Sequence, residues 1–266
     1  MPSPLFLSDR RSALRRALAL GVLGAVCGAA PVGAQSLPDL VARAKPSVVL
    51  VGTFSMTDAP RFQFRGTGFV VGDGLDVITN AHVLPEPGEM PAERRLEVRV
   101  WRGGQVWEAR EVTLVNSARA QDLAHLRISG PAVPALALAG PEVARQGADV
   151  ALIGFPIGGV LGFSHVVHRG VLAAVTAITL PQGTPQGLSS RAVRAIREGP
   201  FEIFQLDATA YPGNSGGPLF DVASGQVIGV LNMVLTKGSR EAALSNPTGI
   251  SYAVPIRHVQ ELMAQR

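Results

Sequence analysis

The sequence predicts an all-β protein of the barrel or sandwich class. Short segments rich in Val, Ile, Leu and Thr recur along the chain with little helical periodicity between them. Glycine (30 residues) and proline (20 residues) are abundant, as closely spaced turns between short strands require. Hydrophobic residues make up 47% of the 266, enough to fill the core of one large domain or of two packed halves.

A short helix is expected over Leu37–Ala44, and a first group of strands follows it. These are Ser47–Phe54, Gly68–Val71, Asp76–Thr79, Leu96–Trp101, Val112–Val115 and Leu123–Ile128. Gly72-Asp73-Gly74 joins the second and third as a hairpin turn, because Gly and Asp tolerate positive φ. A second group comprises Asp149–Phe155, Val166–Ile178, Glu202–Leu206, Gln226–Val234 and Gly249–Val254, with a turn at Ser224-Gly225. Pro131–Gly147, rich in Pro, Ala and Gly, divides the two groups as a crossover between halves. Ile256, Val259 and Met263 stand at helical spacing, so Pro255–Arg266 is expected to close the chain with a short helix. The strand rhythm breaks over Pro181–Pro200, where Arg191, Arg194 and Arg197 line one side of a helical turn. A solvated face accounts for such a stripe; a regulatory or substrate-contacting loop is the alternative, since the stripe lies just upstream of Ser215.

The N-terminus has a different character. Arg10, Arg11, Arg15 and Arg16 precede an apolar run from Ala17 to Ala30, which ends in Pro31-Val32-Gly33-Ala34 before Gln35. A basic start, a short apolar stretch and a Val-x-Ala site define an export signal over residues 1–34, placing the mature protein in the periplasm or outside the cell. A permanent anchor is the alternative, but the run is short against the ~20 residues that a span requires. Arg10-Arg11 matches the twin-arginine signal imperfectly and leaves the export route open. Cleavage removes four arginines and one aspartate, leaving 20 basic against 19 acidic residues and a net charge of +1 instead of +4. Nucleic-acid binding thereby loses its main support, and no stable membrane insertion is expected after cleavage. Cys27 is the sole cysteine and lies within the signal, so no disulfide is expected in the mature chain. Val26 is bulkier than a lipobox residue at that place, which argues against lipidation of Cys27.

Three blocks carry the chemistry. In Tyr211-Pro212-Gly213-Asn214-Ser215-Gly216-Gly217-Pro218-Leu219, glycines on both sides allow Ser215 to sit in a tight turn with backbone N–H groups converging on one point. Acyl transfer needs such preorganised donors for the oxyanion of its tetrahedral intermediate, and Gly213 and Ser215 would supply them. By itself the run is equally a glycine-rich surface turn. His82 follows the β-rich run Val77-Ile78-Thr79 at a strand-to-loop junction, where an imidazole could take the proton of a serine hydroxyl. Asp122 heads the apolar strand Leu123–Ile128, a costly place for an acid unless a donor such as an imidazole Nδ1–H engages it. Taken singly, His82 is more simply a structural histidine and Asp122 an exposed turn acid. The order His82, Asp122, Ser215 in these contexts points to nucleophilic catalysis by a serine.

The blocks Gly66-Thr67-Gly68-Phe69-Val70-Val71, Thr79-Asn80-Ala81-His82-Val83, Asp122-Leu123-Ala124, Leu206-Asp207-Ala208 and Gly213-Asn214-Ser215-Gly216-Gly217-Pro218 resemble those of trypsin-like peptidases. They are most similar to the bacterial HtrA/Deg protease domain, from about Leu37 to Pro255. The resemblance implies two perpendicular six-stranded β-barrels with the catalytic cleft between them. It also implies a serine endopeptidase acting on unfolded or damaged exported polypeptides through an acyl-enzyme, without a cofactor, with homo-oligomers compatible with that family. A chaperone-like or binding protein on the same fold, its oxyanion loop at rest, is the alternative.

By analogy the floor of the primary specificity pocket lies near Thr209, with walls from Leu231, Asn232 and Met233. No acid stands at the floor, so a basic P1 side chain would lack its counter-charge and small to medium apolar P1 residues are expected. The chain departs from the family at three points. HtrA-type enzymes commonly continue into PDZ modules, whereas this sequence stops about a dozen residues after Ser251-Tyr252-Ala253-Val254-Pro255. His125 stands where the family commonly has an aliphatic residue; it shares a strand face with Leu123, opposite Asp122, and is not expected to be a second catalytic histidine. Asn214 replaces the aspartate that digestive relatives pair with a newly cut N-terminus, so activation by that salt bridge is excluded, while the resemblance leaves loop-controlled activation open. No metal site is expected: His165 and His168 are three apart on a strand segment, on opposite faces, and no Cys or acid gathers around them.

Overall fold

A computed structural model of the chain describes residues 36–86, 88–140, 144–156, 158, 162–177, 201–232 and 249–265. The expected export signal with Cys27, the Arg191, Arg194 and Arg197 stripe, and Met233 lie outside the described residues. Among the described residues, twelve strands close into two six-stranded antiparallel barrels. The first barrel comprises β1 (Val48–Ser55), β2 (Phe62–Val71), β3 (Asp76–Asn80), β4 (Arg94–Trp101), β5 (Trp107–Ala118) and β6 (Leu123–Ile128), in the spatial order β1-β2-β3-β6-β5-β4. The second comprises β7 (Asp149–Gly154), β8 (Val166–Ala177), β9 (Glu202–Asp207), β10 (Pro218–Asp221), β11 (Val227–Leu231) and β12 (Ile250–Pro255), ordered β10-β11-β12-β9-β8-β7. Helix α1 (Leu37–Ala44) precedes the first barrel, and helix α2 (Arg257–Ala264) packs on β5 and β6 after the second is complete. Ser36 caps α1, its hydroxyl oxygen accepting the Asp39 N–H at 3.3 Å, which satisfies a donor that the first turn leaves open.

Why near-continuous apolar runs form strands here follows from burial on both faces. Along β1, Val49 and Val51 enter the first barrel with Val70, Val77, Val98, Val100 and Leu126. Val48 and Leu50 point the other way, joining Phe69, Ile78, Leu123 and Leu40 in a cluster continuous with Leu152, Phe204, Leu206, Leu219 and Val230 of the second barrel. The wall between the barrels therefore has no wet side, and each fully buried Val or Leu in it contributes about 1.5–3 kcal/mol. β5 differs, because it meets solvent at Glu111 and Thr113 and, where its register shifts between Leu114 and Asn116, at Leu114 and Val115.

Three elements depart most from what the sequence suggests. β2 starts at Phe62, well before Gly68, and β5 spans Trp107–Ala118, although only Val112–Val115 carried an apolar signal. Their extra residues are held by backbone ladders to β1 and to β4, which charged side chains such as Arg65 and Glu111 do not disturb. No apolar run marks β10 in the sequence. It has four residues, opens on Pro218 and is held between β7 and β11 on its two sides.

Candidate active site

The antiparallel register of β3 and β6 sets Asn80 opposite Leu123. The residues just beyond that pair are Ala81-His82, in a 3₁₀ turn over Ala81–Val83, and Asp122. Two residues 40 apart in sequence thus become neighbours because one strand ends where its partner begins. His82 Nδ1 lies 2.6 Å from Asp122 Oδ2, and the His82 backbone N–H donates to Asp122 Oδ1 at 2.9 Å.

Asp122 is 4% exposed and adopts φ 57°, the one positive φ outside glycine among the described residues. Aspartate visits this region more readily than most residues, and here the surroundings over-determine it. Its carbonyl accepts the Ala81 N–H at 3.0 Å and the Asn80 Nδ2 at 3.0 Å, while its carboxylate also accepts Asn232 Nδ2 at 2.9 Å. Asn232 comes from the end of β11 in the other barrel. Named from the sequence for the wall of a specificity pocket, it directs its amide to the acid. No local signal marks that role, since 110 residues separate the two.

Ser215 lies between β9 and β10 and is 5% exposed. The Asn214 N–H donates to the Tyr211 carbonyl at 3.0 Å, and the Gly217 N–H to the Asn214 carbonyl at 2.9 Å, so the segment is a pair of successive tight turns. Gly213 has φ 103° and Gly216 has φ 83°. A Cβ at residue 216 would stand 2.2 Å from the Thr67 carbonyl oxygen and 2.3 Å from Thr79 Oγ1, so only glycine lets this loop lie against the first barrel. There it lies against Thr79 and Asn80, the last residues of β3, which lead into the turn that carries His82. Among the described residues, neither the Gly213 N–H nor the Ser215 N–H donates to a hydrogen bond.

The remaining residues named from the sequence spread around this centre. Thr209 is half-buried between β9 and β10, and Leu231 is fully buried at the end of β11. Asn214 is fully buried and sends its Nδ2 to within 3.5 Å of His168 Nε2. His125 is 1% exposed and pairs with Asp76 at 2.8 Å, not with Asp122. His165 lies one residue before β8 and enters an aromatic cluster, stacked on Trp107 with ring centroids 5.5 Å apart and tilted against Phe155 at 4.8 Å. Its Nε2 reaches the Val48 carbonyl at 3.2 Å, yet burial dominates and pushes its pKa down to about 4. Burial also lowers the pKa of His168.

Comparison with known proteins agrees with this architecture. Residues 66–230 match the trypsin-like peptidase domain. The mitochondrial serine protease HTRA2 of Bos taurus is 31% identical over 253 residues, covering 91% of this chain and 46% of the relative. A probable periplasmic serine endoprotease, DegP-like, of Pseudomonas putida is 30% identical over 194 residues, covering 73% of this chain and 33% of the relative. The chain therefore spans about half the length, or less, of these curated relatives. Among solved structures, the Rv3671c protease of M. tuberculosis in its active form superposes with a TM-score of 0.60 at 25% identity, covering 85% of this chain and 83% of that one. The serine endoprotease of Yersinia pestis gives a TM-score of 0.59 at 25% identity over 86% of this chain and 66% of that one. Two closed barrels, a buried acid on an imidazole, a glycine-bounded serine loop between them and a profile match across both halves lead to one assignment: the chain belongs to the trypsin-like peptidase family.

Proposed function

We propose that the chain is a serine endopeptidase in which Ser215 is the nucleophile, His82 the general base and Asp122 the residue that orients it. The observation that carries this reading is the His82–Asp122 pair, with the Ser215 loop docked against the strand that delivers His82. An ionised carboxylate at 2.6 Å accepts a hydrogen bond, so the imidazole proton resides on Nδ1 and the Nε2 lone pair is left to take the Ser215 proton. Attack of Ser215 Oγ on a peptide carbonyl forms a tetrahedral intermediate, whose oxyanion the Gly213 and Ser215 N–H groups bind. The imidazolium then passes its proton to the leaving amine, giving an acyl-enzyme that water hydrolyses by the same steps in reverse order. Asp122, buried and held from both barrels, stabilises the positive charge that His82 carries meanwhile.

The substrates are unfolded or damaged exported polypeptides, a reading supported by relatives described as periplasmic serine endoproteases. Residues 1–34 act as the export signal in this reading. Thr209 and Leu231 offer no carboxylate, which favours small to medium apolar P1 side chains. Digestion of casein beside a Ser215→Ala control tests the function, and the variant is expected to lose activity by several orders of magnitude while remaining folded. A fluorophosphonate probe should label Ser215 alone. Tight binding of unfolded casein without cleavage, together with an inert probe, would overturn the peptidase in favour of a binding protein on this fold. Profiling on a peptide library checks the P1 expectation, which a dominant Arg or Lys would reverse.

A further inference from the structure

We infer that Thr67, in the first barrel, is a positioning residue for the oxyanion-binding loop of the second, acting through the Gly213 carbonyl. The inference rests on Ser215 being the nucleophile. Thr67 lies on β2, is fully buried and directs all its hydrogen-bonding groups across the cleft or onto its supports. Its Oγ1 donates to the Gly213 carbonyl at 2.7 Å and accepts the Phe155 N–H at 3.3 Å. Its backbone N–H donates to the Ser215 carbonyl at 2.9 Å. Thr79 Oγ1, equally buried, donates to the Thr67 carbonyl at 2.7 Å and fixes the residue from behind.

One side chain and one amide thus occupy the carbonyls of the two residues whose N–H groups are to meet the oxyanion. The Gly213–Asn214 peptide is held at both ends, since the Asn214 N–H donates to Tyr211 at 3.0 Å. Turning the Gly213 N–H out of the site means rotating the Pro212–Gly213 peptide, which changes φ of Gly213. That residue has no slack: a Cβ on it would stand 2.3 Å from the Phe155 carbonyl oxygen and 3.2 Å from Phe64. With the Gly213 carbonyl bound to Thr67, the other side of that Cα is fixed: Gly213 cannot turn as a unit without breaking a buried hydrogen bond, and its φ alone must absorb any rotation of its N–H. Without the hydroxyl, the carbonyl is buried and unpaired, and the loop gains by turning it elsewhere. A threonine 146 residues away thereby keeps the donors aimed before substrate arrives.

The test uses the full chain with Thr67→Val, which keeps the shape and deletes the hydroxyl, beside Thr67→Ser, which keeps the hydroxyl. Turnover of a fluorogenic peptide and the rate of fluorophosphonate labelling are measured on each folded protein. Thr67→Val should lose about 10- to 100-fold in kcat and in labelling rate, with KM within about threefold, because donors aimed at the transition state are lost while ground-state binding is not. Thr67→Ser should stay within about threefold of the parent. If Thr67→Val does not fold, Thr67→Ala removes the same hydroxyl and is judged by the same criteria. A hydroxyl-free variant labelled as fast as the parent overturns the inference. So does a serine variant as impaired as valine, which would assign the effect to the methyl group beside Gly217. A parent chain that is itself neither labelled nor active defeats the peptidase reading instead, so the two failures are distinct.

Discussion

Protonation of His165 should weaken the fold over a defined acidic range. In the native state the ring sits among Trp107, Phe155 and Trp101, and burial holds its pKa near 4 instead of the ordinary 6.5. The unfolded chain takes up this proton as the pH falls through about 6.5, while the native protein does not until about 4. Stability is therefore fully present above about 6.5, declines as the pH falls towards 4, and for this group levels off below that. The separation between 6.5 and about 4, at about 1.4 kcal/mol per pH unit, corresponds to up to about 3 kcal/mol. That is a large share of the ~5–15 kcal/mol that holds a domain folded. Urea unfolding at pH 7.5, 6 and 4.5, compared between the parent and His165→Phe, isolates the group from the carboxylates and from His168, which titrate in both proteins. Phenylalanine keeps the ring contacts and loses the bond to the Val48 carbonyl, so at pH 7.5 the variant should be the less stable by about 1 kcal/mol. At pH 4.5 the order should reverse, the difference having moved by about 2–3 kcal/mol in favour of the variant. Parallel stability curves for the two proteins would show that the ring does not pay this protonation cost, and the reasoning from burial would fall.

Two further outcomes follow from single contacts. Asn232→Ala removes a buried, charge-assisted hydrogen bond to Asp122 and should lower kcat/KM by about 10-fold or more, measured against a peptide substrate; an unchanged value would sink the orienting role. Gly130→Ala would place a Cβ 1.6 Å from Arg110 Nη1, displacing a buried guanidinium that donates to the Ser129 carbonyl at 2.8 Å, at a backbone φ of 87°. We expect a loss of about 2–4 kcal/mol in denaturant unfolding, and a variant as stable as the parent would contradict the packing argument.

What the sequence determined by itself was local. Val and Ile runs bounded by Gly and Asp turns specify strands because side-chain alternation and turn conformation are decided within a few residues, and β6 spans the expected Leu123–Ile128. The same proximity in sequence made His82 and Asp122 legible, each standing where an apolar strand meets a loop. Their junctions adjoin once β3 and β6 pair, and the 2.6 Å contact follows. The first half of β2 and the flanks of β5 were not legible, because backbone ladders to their neighbours hold them and mixed side chains conceal that. Asn232 bonded to Asp122, Thr67 bonded to Gly213, and the depressed pKa of His165 were decided only when the two barrels closed on each other. Those partners lie more than 100 residues apart in the chain, and the energy of a buried hydrogen bond or a desolvated ring depends on what surrounds it in space, which no short stretch of sequence specifies.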